Sequence, residues 1–202
     1  MRAGLLIGLL AACLQAGAAV AQPAPEADAD WPCPQGRTPT ISAAAIWSGP
    51  DIAQAGAWDD DSEAAALAQK LASRRTPLED VDPLLDAFAD KAGPQKDVRL
   101  TRVFAGVLEL INNARSRLIA GIVRYAQGQN KLAAKVRQES NAVSDAQEAN
   151  ASEKSQQEQQ AALQWDKRIF EERSRSLVYV CEAPGFLEQR AFEIARRIQE
   201  RL

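Results

Sequence analysis

The sequence predicts an all-α protein: a small helical body, a long antiparallel coiled-coil hairpin projecting from it, and an irregular N-terminal arm rich in Trp and Pro. Three observations carry this expectation. Between Pro94 and Pro184 there is no proline, and glycine occurs only at positions 106, 121 and 128. Within that span Leu100, Val103, Phe104, Val107, Leu108, Ile111, Ala114, Leu118, Ile122 and Tyr125 step by three and four, the period of one helix face. Beyond Gly128 the chain turns to Gln, Asn, Ser, Glu and Ala, and its larger apolar residues thin to Leu132, Val136 and Val143, spaced like a narrow coiled-coil seam.

The first element is not part of the fold. Met1-Arg2 is a short basic start, residues 3–14 (AGLLIGLLAACL) are an apolar run too short to span a bilayer, and Ala19-Val20-Ala21 is an A-x-A cleavage site. These features predict a signal peptide, residues 1–21, cleaved after Ala21, and hence a periplasmic or secreted protein. Leu10-Ala11-Ala12-Cys13 resembles a lipobox, so a lipoprotein anchored at Cys13 is the alternative. Residues 22–30 (QPAPEADAD) lack apolar content and read as a disordered leader.

The arm, residues 31–58, holds Trp31, Trp47 and Trp58 among Pro32, Pro34, Pro39 and Pro50. Residues 40–47 fit a short strand or a helical turn equally well. Cys33 sits between two prolines, which stiffen the backbone without giving it a regular partner. After cleavage only Cys33 and Cys181 remain. In an oxidising compartment they allow one pairing, a disulfide closing a loop of about 150 residues, for which chain entropy sets a ceiling of roughly 5 kcal/mol. The wide spacing and the lack of a C-x-x-C motif favour a structural link over a redox pair. The tryptophans are then expected to bury against the helices. A groove for a ligand or polysaccharide is the alternative use of such an arm.

The helical domain runs from 59 to 202. Asp59-Asp60-Asp61-Ser62-Glu63 begins a helix, its acids suited to the N-terminal end; the same run lacks the glycine and distal glutamate of a calcium loop. Thr76-Pro77-Leu78-Glu79 has the form of a capping box, and Gly93-Pro94 ends the helix that follows. The hairpin occupies about 96–182. Its tip is placed between 140 and 155, where Ser144, Ser155 and Asn150 are suited to caps and a left-handed turn. The return helix of the hairpin carries Ala162, Leu163, Trp165, Ile169, Phe170, Leu177, Val178 and Val180, expected to pack back onto residues 100–136. Glu182-Ala183-Pro184-Gly185-Phe186 is expected to break it before a last helix. That helix would bury Phe186, Leu187, Ala191, Ile194, Ala195, Ile198 and Leu202 and turn Arg190, Arg197 and Arg201 the other way.

Composition excludes several chemistries. The chain has no histidine, which removes Ser-His-Asp and Cys-His catalysis and His-ligated metal sites. No glycine-rich phosphate loop or C-x-x-C-H haem site occurs. No cofactor, metal or catalytic residue is therefore assigned, and the chain is read as a non-enzyme. A net charge of −3 argues against a nucleic-acid partner, and Arg115, Arg117 and Arg124 read as a solvated helix edge. No transmembrane segment is expected in the mature chain. What remains is an interaction, scaffold or chaperone-like protein that offers its hairpin to a protein partner or to a second copy of itself. Leu132, Val136 and Val143, with Leu163 and Trp165 opposite, are the candidate partner-binding residues.

Overall fold

The computed structural model describes residues 31–202; the expected signal peptide over 1–21, its lipidation alternative at Cys13 and the expected disordered leader over 22–30 lie outside the described residues. Every regular element among the described residues is helical. The arm contributes two single turns, α1 (Ala43–Ile46) and α2 (Ile52–Ala55). The body adds α3 (Ser62–Ala72) and α4 (Val81–Ala92). Two long helices complete the chain, α5 (Lys96–Glu148) and α6 (Glu153–Gln199), with 3-10 turns at Trp58–Asp60, Leu78–Asp80 and Gly93–Gln95. At 53 and 47 residues the long helices extend about 80 and 70 Å.

The body forms where α3 and α4 lie against the first turns of α5 and the last turns of α6. Leu71, Leu85, Leu100, Phe104, Ile111, Ile194 and Ile198 are fully buried there. Each such side chain contributes roughly 1.5–3 kcal/mol when taken from water. α3 starts because the Asp61 carboxylate accepts the Ala64 N–H. The expected capping box at Thr76 does not form. Thr76 Oγ1 instead donates to Lys70 O at 2.7 Å and closes the end of α3, and α4 begins at Val81 with Pro83 in the first turn, where no helical N–H partner is needed. Gly93, at φ 51°, takes the left-handed backbone that ends α4.

The arm lies across this body, and its tryptophans are packing anchors. Trp47 stacks on Phe104 with ring centroids 3.9 Å apart and planes 6° from parallel. Trp58 covers Gly106, where an added Cβ would stand 2.7 Å from the indole and 2.8 Å from the Ala68 methyl. Only glycine lets α5 come this close to both. Trp58 Nε1 also donates to Glu109 at 2.9 Å, and Asn112 exchanges two hydrogen bonds with the backbone of Ile41.

The hairpin turns within the expected window. α5 stops at Glu148, Asn150 sits at φ 48°, and Ser152 caps α6 by accepting the Ser155 N–H. Of the caps expected at Ser144 and Ser155, Ser144 is an interior position of α5, and Ser155 lies in the first turn of α6, its N–H being the one that Ser152 caps.

α6 contradicts the expected break at 182–186, for it runs through Pro184 without interruption. Proline removes one N–H, so the helical bond to Val180 O cannot form. Side chains from elsewhere bond the carbonyl three residues before the proline and the proline's own. Gln35 Nε2 donates to Cys181 O, and Arg115 Nη1 donates to Pro184 O.

The terminal arginines also differ from expectation, because they face the body. Arg190 is buried and donates to Leu71 O at 2.8 Å and Thr76 O at 2.9 Å. Arg197 reaches Leu78 O and the Asp82 carboxylate, and Arg201 pairs with Asp82 and Asp86. They tie α6 to the α3–α4 corner by giving donors to carbonyls that the turn leaves unpaired.

Candidate functional site

Three features of the hairpin bear on function: the junction where the arm meets α6, the seam, and the outer face of α6. At the junction the sulfurs of Cys33 and Cys181 are at bonding distance, 2.01 Å, with Cα atoms 5.4 Å apart. The pair is buried with Ile122 among Trp31, Leu118, Leu177 and Val180. The pairing read from the sequence thus has the geometry of a disulfide. Trp31 Nε1 donates to Gln35 O at 2.5 Å, which folds residues 31–35 into a tight turn over the sulfurs.

Arg115 stands below this turn and is 3 % exposed, contrary to its expected place on a solvated edge. It donates to Pro184 O and, at 2.8 Å, to Thr38 O, and its Nη1 is 3.4 Å from the Glu188 carboxylate. A guanidinium can be buried here because backbone carbonyls of two separate segments surround it. Arg117 and Arg124 are exposed, as expected.

The seam is narrow and partly polar. On α5 the buried positions Arg115, Ile119, Ile122, Ala126 and Gln129 alternate by four and three. Opposite them on α6, Leu163, Phe170, Leu177 and Pro184 recur every seven residues, each buried or half-buried. Gln129 Nε2 donates to Phe170 O and Ser174 Oγ, and Tyr125 Oη donates to Arg173 O at 2.7 Å. Lys135 Nζ lies 2.5 Å from the Asp166 carboxylate and 3.5 Å from Glu139. Lys135 holds the Asp166 carboxyl below the usual carboxylate range, and Asp166 in turn raises Lys135. Such polar layers fix the register of a seam with too few apolar residues to fix it alone.

The outer face of α6 is less polar than a solvated helix usually is. Six large hydrophobic side chains are exposed among the described residues, and Trp165, Val178, Tyr179, Phe186 and Phe192 all belong to α6. Trp165 is 61 % exposed and Tyr179 75 %. Trp165, Tyr179 and Phe186 stand two heptads and one heptad apart, so they share one stripe. That stripe is two residues out of phase with Leu163, Phe170, Leu177 and Pro184, which places it on the opposite side of the helix.

The five candidate partner-binding residues are therefore separated. Leu163 is buried in the seam, and Leu132, Val136 and Val143 are half-buried on α5. Trp165 and Val178 point away from α5, and Phe186 points away from the body, all three contrary to expectation. Sequence reasoning left Tyr179 and Phe192 unassigned and placed Phe186 on the wrong side of the last helix. The seven-residue phase of Trp165, Tyr179 and Phe186 was the signal that could have found them.

No group of three or more His, Cys, Asp or Glu residues is placed to hold a metal ion among the described residues, and no helix there is long and apolar enough to cross a membrane. The acidic run at 59–63 acts as a cap and an ion pair. Arg99 grips Asp61 with two hydrogen bonds, holding its carboxyl at about 2, and reaches Glu63 at 2.7 Å. No family model matches this chain, and neither does any curated protein or solved structure.

Proposed function

We propose that the protein is a non-catalytic, exported interaction module whose projecting hairpin is recognised by an amphipathic helix of another protein. The observation that carries this is the stripe of Trp165, Tyr179 and Phe186 on the outer face of α6, opposite the seam. Aromatic residues exposed singly need no explanation, but a heptad stripe on one helix presents the knobs that a partner helix packs between. Trp and Tyr give large contact area at low entropic cost and are enriched where partners bind. Export is supported by the leader sequence and by the paired sulfurs, which persist in oxidising compartments. The lack of histidine, together with the binding character of the exposed face, favours recognition over catalysis.

The test is affinity capture from the cell envelope with a tagged chain. Trp165→Ser together with Tyr179→Ser is expected to lose the captured partner while the helical circular dichroism and the unfolding midpoint stay unchanged. Capture that survives both substitutions refutes the proposal. If the only species captured is a second copy of the chain, the heterologous partner is refuted and self-association takes its place.

A further inference from the structure

We propose that the cleft between the α3–α4 turn and α6 binds a small organic acid, its oxyanion held by Arg190 and Arg74. The cleft has a volume of about 700 Å³, within the range of small-ligand sites. Arg74 and Leu78 of the turn, and Phe186, Arg190 and Phe192 of α6, line it. Phe186 also belongs to the outer stripe of α6, but the binding needs no protein partner.

Arg190 is 8 % exposed, and its guanidinium is only partly used. Nε donates to Leu71 O and Nη2 to Thr76 O. Nη1 makes no hydrogen bond among the described residues, yet it is not one of the polar atoms shut off from solvent without a partner. Its N–H groups therefore stay open where Arg190 lines the cleft. The charge is uncompensated as well. Arg190 makes no ion pair among the described residues, and burial alone lowers its pKa. Arg115, the other buried arginine, has the Glu188 carboxylate 3.4 Å away. Glu188 and Glu193 both line the cleft, but Glu193 is in turn held by Arg196 at 3.0 Å, and neither acid pairs with Arg190. A buried cation without a counterion is costly, and an anion on Nη1 supplies both the acceptor and the charge.

Arg74 adds a second cation. It is exposed on the turn and has no hydrogen bond or ion pair among the described residues. Two guanidiniums on one cleft suit an oxyanion, whose several oxygens accept from both. Leu78, Phe186 and Phe192 supply apolar wall beside the cations, and the two rings are 55 % and 51 % exposed. That surface suits an aromatic or branched aliphatic body. The shared chemistry is an oxyanion on an apolar body, and a carboxylic acid and a phosphate monoester both have it.

The test follows the backbone amides of Gln189 and Phe192 in the 15N-labelled chain, titrated alone, so its outcome is separate from the capture of a helical partner. Phenyl phosphate or phenylacetate at millimolar concentration is expected to shift these signals saturably. Benzyl alcohol, which has the ring without the charge, is expected to leave them in place. The tighter of the two acids sets the preferred oxyanion, and either order supports the site. Arg74→Gln is expected to weaken binding several-fold with unchanged circular dichroism. Arg190→Met is expected to abolish binding; where that variant fails to fold, Arg74→Gln decides. No saturable shift from either acid, an equal shift from benzyl alcohol, or undiminished binding by Arg74→Gln overturns the proposal.

Discussion

Replacing Cys33 and Cys181 together by alanine is the perturbation whose magnitude follows most directly from the topology. The two residues are 148 positions apart. The chain-entropy model gives a closed loop of that length about 5 kcal/mol as a ceiling, and measured values for native disulfides fall at about 2–5 kcal/mol. The folded state should change little beyond the first turn of the arm. From Thr38 onward the arm has independent anchors: Thr38 O on Arg115, Ile41 on Asn112, Trp47 on Phe104, Ser48 on Gln199 and Trp58 on Glu109. The variant should thus keep native helicity and a protected arm from about residue 38 onward. Amide exchange should rise at residues 31–37. The assay is urea unfolding followed by circular dichroism, paired with hydrogen exchange. The expected result is a lower midpoint with exchange gained only at the first turn of the arm. An unchanged midpoint would refute the argument that the link restrains the unfolded chain, and loss of protection across 38–58 would refute the independence of the anchors.

Other predictions concern the body. Gly106→Leu places a side chain into the Trp58 indole and the Ala68 methyl and is expected to cost about 1–3 kcal/mol, read as a lower melting midpoint; an unchanged midpoint contradicts the close packing of α3, α5 and the arm. Trp47→Ala removes the stack on Phe104 and is expected to cost about 3 kcal/mol in urea unfolding, whereas a loss near zero would make Trp47 an ornament of the surface. Asp61→Asn keeps the cap acceptor but removes the charge paired with Arg99. Because the folded carboxyl sits at about 2, below its ordinary 3.8, its contribution is present above pH ~4 and is lost as pH falls towards 2. Allowing for solvent screening, the native protein should lose about 1–2 kcal/mol more than the variant between pH 5 and 2, and parallel pH profiles would contradict this.

Much of this architecture was legible because long helices declare themselves locally. The proline-free span, the three-and-four stepping from Leu100 to Ile122 and the turn residues near Asn150 are all short-range signals, and they located α5 and the tip. Cysteine arithmetic located the junction. The misread positions share a different property, for each depends on a donor or acceptor far away in sequence. Pro184 looks like a break until Gln35 and Arg115 supply Cys181 O and Pro184 O with donors. Arg115 and Arg190 look like solvated charges until the carbonyls of Thr38, Leu71 and Thr76 surround them. Thr76 looks like a cap until its hydroxyl turns back to Lys70. On α6 the fault was one of phase. Leu163 and Trp165 are both apolar and only two residues apart, and a helix cannot turn both towards α5.

The central claim is that α6 has two faces of different use, one closed on α5 and one open to a partner helix. A photo-crosslinking scan in intact cells, with the probe placed in turn at positions 163, 165, 170, 172, 177, 179 and 186, tests it most directly. The account predicts adducts to another protein at 165, 172, 179 and 186 and none at 163, 170 and 177. Adducts without that seven-residue rhythm, or confined to the seam positions, would contradict it.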